Sequence, residues 1–199
     1  FPTIPNSDGA GVVTAVGGGV KLQEGDRVTS CFFEDWAAGD ITAPVMTSAL
    51  GGARQGVLAE EVVLPERGVI PTPTGLTDEE AATLPCAALT AWHALTLPRP
   101  VKAGETVLLL GTGGVSVFAQ QFCSIMGART IVTSSSDDKL EKMKALGASE
   151  IINYQTNPEW DAIVLELTGG SGVDRVVEVG GPGTFDRSVN AVRVGGIIG

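Results

Sequence analysis

The sequence is poor in the residues that acid–base and metal chemistry most often draws on. It holds one histidine, His93, and one tyrosine, Tyr154, and aromatic residues make up 5% of its 199 positions. The three cysteines, Cys31, Cys86 and Cys123, are odd in number and lack metal-like spacing. They suit a reducing cytoplasm better than a secreted disulfide framework. Basic residues are in deficit, with 13 Lys and Arg against 23 Asp and Glu and a formal net charge of -10. No basic cluster offsets this, which argues against a nucleic-acid partner or an anionic membrane surface. No apolar run approaches the roughly 18 residues of a membrane span, and no signal peptide is recognisable.

What the chain does have is apolar content, 43%, and 27 glycines. The stretch Glu105–Met126, ETVLLLGTGGVSVFAQQFCSIM, concentrates both. Val107, Leu108, Leu109 and Leu110 form an unbroken apolar run, the pattern of a parallel strand buried on both faces. Gly111-Thr112-Gly113-Gly114-Val115-Ser116 follows at once. Then Val117, Phe118, Phe122, Ile125 and Met126 recur at helical spacing, and Gly127 closes the helix. Strand, glycine turn and helix is the context in which a glycine-rich run reads as a dinucleotide site. Gly111 permits the tight turn, Gly113 lets the backbone approach a pyrophosphate, and the helix N-terminus favours the anion. Ser116 stands where a third glycine or alanine is usual. Glycine-rich turns also occur without ligands, so the surrounding residues must decide.

Residues 1–72 read as β-rich. Gly11–Val16, Asp26–Phe33 and Val57–Leu64 are predicted strands, with turns at Gly17-Gly18-Gly19 and Glu24-Gly25-Asp26. Glu34–Gln55 reads as a long loop. The composition changes at Pro71-Thr72-Pro73. Thr77 and Glu80 form a predicted capping box opening an alanine-rich helical stretch that breaks at Pro85 and runs to Leu97. Residues 73–199 then alternate: strands at Glu105–Leu110, Arg129–Thr133, Glu150–Asn153, Val173–Val179 and Gly196–Ile198, with helices between them. Such alternation implies right-handed βαβ units and a doubly wound parallel sheet, an α/β fold. The chain opens on Phe1 and stops on a predicted strand, so it is expected to be a fragment of a longer protein.

This order of modules resembles the medium-chain dehydrogenase/reductase superfamily. The residues that carry the resemblance are Gly9-Ala10-Gly11-Val12-Val13 with Val16-Gly17, Gly25-Asp26-Arg27-Val28, Ala81-Ala82-Thr83-Leu84-Pro85, Leu89 to Leu95 (LTAWHAL), Gly111 to Val115 and Leu146-Gly147-Ala148. The likeness is greatest to the quinone-oxidoreductase and zinc-free alcohol-dehydrogenase-like branch. It implies a partial GroES-like barrel at 1–72 and a Rossmann dinucleotide-binding domain at 73–199. It also implies hydride transfer between a nicotinamide and a small-molecule substrate in the cleft between modules, and a homodimer at full length. Zinc-type alcohol dehydrogenase and a non-catalytic nucleotide-binding protein are the alternatives.

An NAD site places an acidic residue about 20 positions after the glycine turn, on the ribose hydroxyls. Here the strand from Arg129 ends in Ser134-Ser135-Ser136, so a 2′-phosphate meets no carboxylate there, and NADP(H) is expected over NAD(H). Ser134 and Ser135 can donate to phosphate, and Lys139 can supply charge. The resemblance adds Tyr154 beside Lys139 and sets Thr90 against the nicotinamide. The bland readings are a helix cap for the serines and a solvated charge for Lys139. Val179-Gly180 lie at the carboxyl edge of the sheet, where doubly wound folds bind ligands. The expected cofactor set is thus Thr90, Gly111, Thr112, Gly113, Gly114, Val115, Ser134, Ser135, Lys139, Tyr154, Val179 and Gly180.

Zinc members of the family carry His-Glu just before the barrel glycines. This chain has Ser7-Asp8 there and no cysteine cluster after Cys31, so no zinc is expected. Cys86 is read as a small buried residue beside the nicotinamide, and His93 as a helix residue rather than a proton shuttle. No side chain is compelling as a catalytic acid or base.

Overall fold

In the computed structural model, residues 2–199 are described, and they divide into two compact units, one ending at Cys86 and one beginning at Ala87.

The first unit holds an antiparallel sheet of β1 (Ala10–Val12), β2 (Arg27–Ser30) and β3 (Val69–Pro71) in that order. Gly11 pairs with Val28 and Thr29 with Ile70, and the Thr29 and Thr72 hydroxyls meet at 2.9 Å. A short helix, α1 (Ala43–Met46), lies in the predicted long loop. That loop is tied down by charge. Arg54 reaches both Glu34 and Asp35 at 2.5 Å, and Arg67 also binds Asp35 at 2.6 Å. The helix α2 (Asp78–Ala81) opens with the predicted capping box: Thr77 accepts from the Glu80 amide while the Glu80 carboxylate accepts from the Thr77 amide. The Arg27 side chain donates to Asp78 and to the Leu76 carbonyl. These bonds tie the start of α2 to β2.

Val57–Leu64 is not a strand. Its first residues hydrogen-bond the N-terminal segment, Val57 to Asn6 and Leu58 to Pro5, but no ladder forms. Alternation alone cannot make a strand without a neighbour for its backbone. Val63 is fully exposed, and the stretch faces Val12 and Val13 across an open trough of about 460 Å³.

A π-helical turn, Leu84–Ala88, accommodates Pro85 and leads into the first helix of the second unit, α3 (Leu89–Thr96). Its sheet contains β4 (Thr106–Leu110), β5 (Arg129–Ser134), β6 (Glu150–Asn153), β7 (Val173–Val177) and β8 (Val192–Ile198). The order is β6-β5-β4-β7-β8, all parallel. The helices α4 (Gly114–Met126), α5 (Asp137–Ala145), α6 (Trp160–Leu167) and α7 (Phe185–Ala191) connect the strands. The apolar run of β4 explains the layering. Val107 and Leu109 join a core with Leu95, Ala119, Cys123, Leu140 and Met143, while Leu108 and Leu110 join one with Trp160, Val164 and Ala191. Both faces of the sheet are covered, as the fully apolar strand requires.

Helix α4 buries a different stripe from the one its large apolar residues suggest. Ser116, Ala119, Gln120 and Cys123 are buried, whereas Ile125 is 82% exposed. Small residues bring the helix close to the sheet, and Phe118 and Phe122 pack at the rim, where Phe122 meets Trp92 edge-on. The Gln120 carboxamide accepts from the Thr130 hydroxyl and donates to Ser124, so its burial leaves no polar atom stranded.

Candidate dinucleotide site

The turn after β4 is built as the sequence suggests. Gly111 has φ +73°, a conformation that disfavours any side chain, and its amide donates to the Thr133 hydroxyl on β5 at 3.3 Å. Gly113 is the N-cap of α4 with an extended backbone, φ -81° and ψ 180°, which any residue could adopt. A Cβ there would meet nothing within 4 Å. The glycine therefore leaves open space in front of the helix N-terminus, with no structural demand of its own. Helix α4 has no acidic residue in its first turn, so its positive end is unscreened. Gly114 is constrained differently: a Cβ would come 3.1 Å from the Ala87 side chain. Thr90 lies one helical turn beyond Ala87 and is exposed.

Ser116 fits in place of the third glycine because its hydroxyl has a partner. It is 1% exposed and donates to the Leu110 carbonyl at the end of β4, 2.6 Å away. Val115 follows Gly114 in the first turn and is half-buried against the core.

Ser134 ends β5 and is buried, its hydroxyl 3.1 Å from that of Thr112 in the glycine turn. Ser135 is exposed. The helix cap is Ser136, whose hydroxyl accepts from the Lys139 amide at 3.4 Å. The cap reading therefore belongs to Ser136 alone. Tyr154 begins just past β6, its amide bound to the Ser134 carbonyl, and its side chain is 39% exposed. Lys139 is exposed in the first turn of α5. Ser134, Ser135, Lys139 and Tyr154 are thus set around the carboxyl ends of two adjacent strands. Asp137, the first acid after the serines in sequence, has one carboxylate oxygen bound by the Asn153 carboxamide at 2.6 Å.

Val179 and Gly180 follow β7, on the other side of β4. Sequence reasoning passed over the residue before them. Glu178 is half-buried, and one carboxylate oxygen accepts from the Gly180 amide at 2.7 Å, the Gly181 amide at 3.0 Å and the Thr184 hydroxyl at 2.7 Å. The other accepts from the Ser188 hydroxyl. Burial pushes this carboxyl up, but the Ser188 and Thr184 hydroxyls and the two amides more than offset it and hold it below its ordinary value. The one signal available was an acid two residues before a Gly-Gly pair at the end of a buried strand.

Ser7 and Asp8 stand where zinc relatives are expected to carry His-Glu. Ser7 donates its hydroxyl to Asp8, and the other Asp8 oxygen accepts from the Cys86 amide at 2.7 Å. Cys86 is exposed, contrary to the buried position expected of it, because the π-helical turn at Pro85 leaves its side chain on the surface. His93 is exposed on α3. Among the described residues, no three His, Cys, Asp or Glu side chains are grouped to hold an ion. No helix among them is long and apolar enough to cross a membrane.

Comparison with known proteins agrees with this architecture. Residues 1–74 match the alcohol dehydrogenase GroES-like domain, and residues 114–198 match the zinc-binding dehydrogenase family. The second segment contains no histidine and only Cys123 among the cysteines. A zinc-type alcohol dehydrogenase-like protein of Schizosaccharomyces pombe is 46% identical over all of this chain and 58% of its own length. A solved NAD-dependent alcohol dehydrogenase is 40% identical, with a TM-score of 0.86 over 100% of this chain and 60% of that one. A mycobacterial protein solved in complex with NADPH is 32% identical, with a TM-score of 0.78 over 97% and 55%. The chain belongs to the medium-chain dehydrogenase/reductase superfamily, as a GroES-like segment followed by a Rossmann α/β unit. It spans a little under three-fifths of the length of the S. pombe relative.

Proposed function

We propose that this chain is the cofactor-binding part of a zinc-independent, NADP(H)-dependent oxidoreductase. The substrate in this reading is a quinone, an enal or enone, or a carbonyl compound. The observation that carries it is Gly113: a glycine with an ordinary backbone and empty space where its side chain would be, facing an unscreened helix N-terminus. A pyrophosphate is the anion that such a cradle at the end of a parallel strand accepts. The nicotinamide, when bound, supplies the hydride chemistry. The chain's own residues bind and orient it. Gly111 turns the backbone, Gly113 and Gly114 admit the pyrophosphate, and Ser116 anchors the helix start to β4. Ser134, Ser135, Lys139 and Tyr154 would receive the 2′-phosphate. Val179 and Gly180 bound the site beyond β7, and Thr90 faces the nicotinamide half.

A second reading, NAD(H), is favoured by the likeness to an NAD-dependent alcohol dehydrogenase and by Asp137 and Asp138 in the first turn of α5. The Asn153 bond to Asp137 weighs against it, since it occupies one oxygen of the first of these acids.

The test is Gly113→Ala. Because the new methyl meets nothing in the protein, the unfolded-chain gain and the poorer N-cap should nearly cancel, leaving stability within about 1 kcal/mol of the parent. NADPH binding, followed by its fluorescence, should weaken by roughly tenfold or more, since the methyl occupies the anion's space. Unchanged NADPH affinity in this variant would refute the cradle.

A further inference from the structure

The strand order gives the cofactor a direction. With the glycine turn on β4, the residues read for the 2′-phosphate lie at β5 and β6, on one side. A dinucleotide laid across the carboxyl edge with its pyrophosphate at β4 must carry its other half over β7. The loop that follows β7, Val179 to Gly183, is therefore the protein surface that the nicotinamide half meets. This step rests on the cofactor reading proposed above.

Pro182 fixes its own φ inside the 3-10 turn Gly181–Gly183, but the residues before it are free of such a constraint. Gly180 and Gly181 are the most permissive residues available, and Gly181 has φ +79°. The Gly181 carbonyl accepts from the Thr184 amide at 3.0 Å, and the Gly180 and Gly181 amides are held by one carboxylate. We infer that Glu178 is a positioning residue for the nicotinamide half of the cofactor, acting through the backbone of Val179–Gly181. Its two oxygens collect four donors, two from the loop (the Gly180 and Gly181 amides) and two from the segment that follows (the Thr184 and Ser188 hydroxyls). The loop is thereby folded back over the start of α7. The approach is close: a Cβ on Gly180 would lie 2.3 Å from the Thr184 hydroxyl oxygen, so only glycine allows it.

The consequence is a division of labour within three residues. The Gly180 and Gly181 amides are consumed by Glu178, whereas the amide and carbonyl of Val179 take no hydrogen bond among the described residues. Val179 is 49% exposed, and by holding the two glycine amides that follow it Glu178 limits the orientations open to both. Without the carboxylate the two glycines sample many conformations. A ligand then binds only the fraction of molecules with the competent loop, and its apparent affinity falls by that fraction.

The test compares two ligands and three variants of the purified protein. NADPH probes both halves of the site, and adenosine 2′,5′-bisphosphate probes only the β5–β6 side. Glu178→Ala should weaken NADPH by roughly tenfold or more and leave the bisphosphate within about twofold of the parent. Glu178→Gln retains an oxygen acceptor for the two amides and Thr184, so it should restore most of the NADPH affinity. Thr184→Val removes one donor and no charge, and should lose NADPH affinity in the same direction but less. It decides the matter by the same criteria if Glu178→Ala does not fold. Unchanged NADPH binding in the alanine variant, equal weakening of both ligands, or a glutamine variant as weak as alanine would each overturn the inference. A parent protein that binds neither ligand would instead overturn the cofactor reading itself, and the inference with it.

Discussion

Arg175→Met tests how the second unit closes the end of α3. Arg175 sits in the middle of β7, is 1% exposed, and has no carboxylate partner. Its guanidinium donates to three backbone carbonyls, those of Ala94, Leu97 (2.7 Å) and Arg99 (2.6 Å), while its Nε has no partner among the described residues. The cause lies in two prolines. A helix carbonyl at Ala94 would accept from the amide of residue 98, but Pro98 has no N–H, nor has Pro100. Arg175 supplies the missing donors from another element. In the methionine variant the Ala94 carbonyl, on a buried residue, loses its partner at about 1–3 kcal/mol. The Leu97 and Arg99 carbonyls lie on more exposed residues and find water, at about 0.5–1 kcal/mol each. Removing a buried charge returns part of this, so a net loss of about 2–4 kcal/mol is expected. For a chain of this size that lowers Tm by about 4–16 °C. Arg175→Lys, with one compact group in place of a fork, should fall between. Hydrogen exchange gives an independent readout, since the Leu97 and Val101 amides, bound to His93 and Leu95, should lose protection before the sheet does. A methionine variant melting within about 2 °C of the parent, with those amides still protected, would refute the account.

Two further outcomes are expected. Lys139→Ala should weaken NADPH by roughly tenfold, the loss of one charge-assisted contact, and leave NADH nearly unchanged; equal effects on both would mean that Lys139 does not read the 2′-phosphate. Stability should fall with acid. Burial works against Glu105, Asp161 and Asp174, but it is outweighed by Arg99 and the Lys102 amide, by Asn190 and Arg187, and by the Thr106 amide and Arg193 respectively, so all three carboxyls are held below their ordinary values. A depressed folded-state pKa adds stability that is complete above the unfolded value, about 4, and is lost as pH drops through the folded one. Thermal melts from pH 6 downward should be flat at first and then decline below about pH 4; a Tm independent of pH down to 2.5 would contradict this.

The Rossmann unit was far more legible in the sequence than the unit before it. Its central strand announces itself, because a strand covered on both faces is mostly apolar, as Val107–Leu110 is, although β5 and β7 bury Thr130, Thr133 and Arg175. The turn signals are equally local: Gly127 ends α4 at φ +72°, and Ser136 caps α5. The β-rich unit offers no such closure. Val57–Leu64 has the composition of a strand, but a strand exists only in the presence of a partner, and composition says nothing about that. The helix α4 misled in a subtler way. Its large residues mark the rim, while close approach to the sheet selects Ser116, Ala119 and Cys123, which no hydrophobicity pattern ranks highly.

The polar residues divide on a single physical criterion, the distance in sequence to the backbone group they satisfy. Ser136 answers an amide three residues on, and Thr77 does the same, so both could be read directly. Ser116 reaches back six residues to Leu110, and the sequence disclosed only that something small and polar had to be accommodated. Arg175 answers a deficit created by Pro98, in an element far earlier in the chain. Within Val173-Asp174-Arg175-Val176-Val177 it reads only as an interruption of a buried strand. Glu178 lies between these cases. Its donors are all within ten residues, but two are glycine amides, and their need for an acceptor becomes visible only when the loop is seen folded back onto Thr184. A buried polar side chain whose local sequence gives it no task is therefore best traced to the backbone atom that lacks a partner elsewhere, which in this chain leads from β7 to the two prolines after α3.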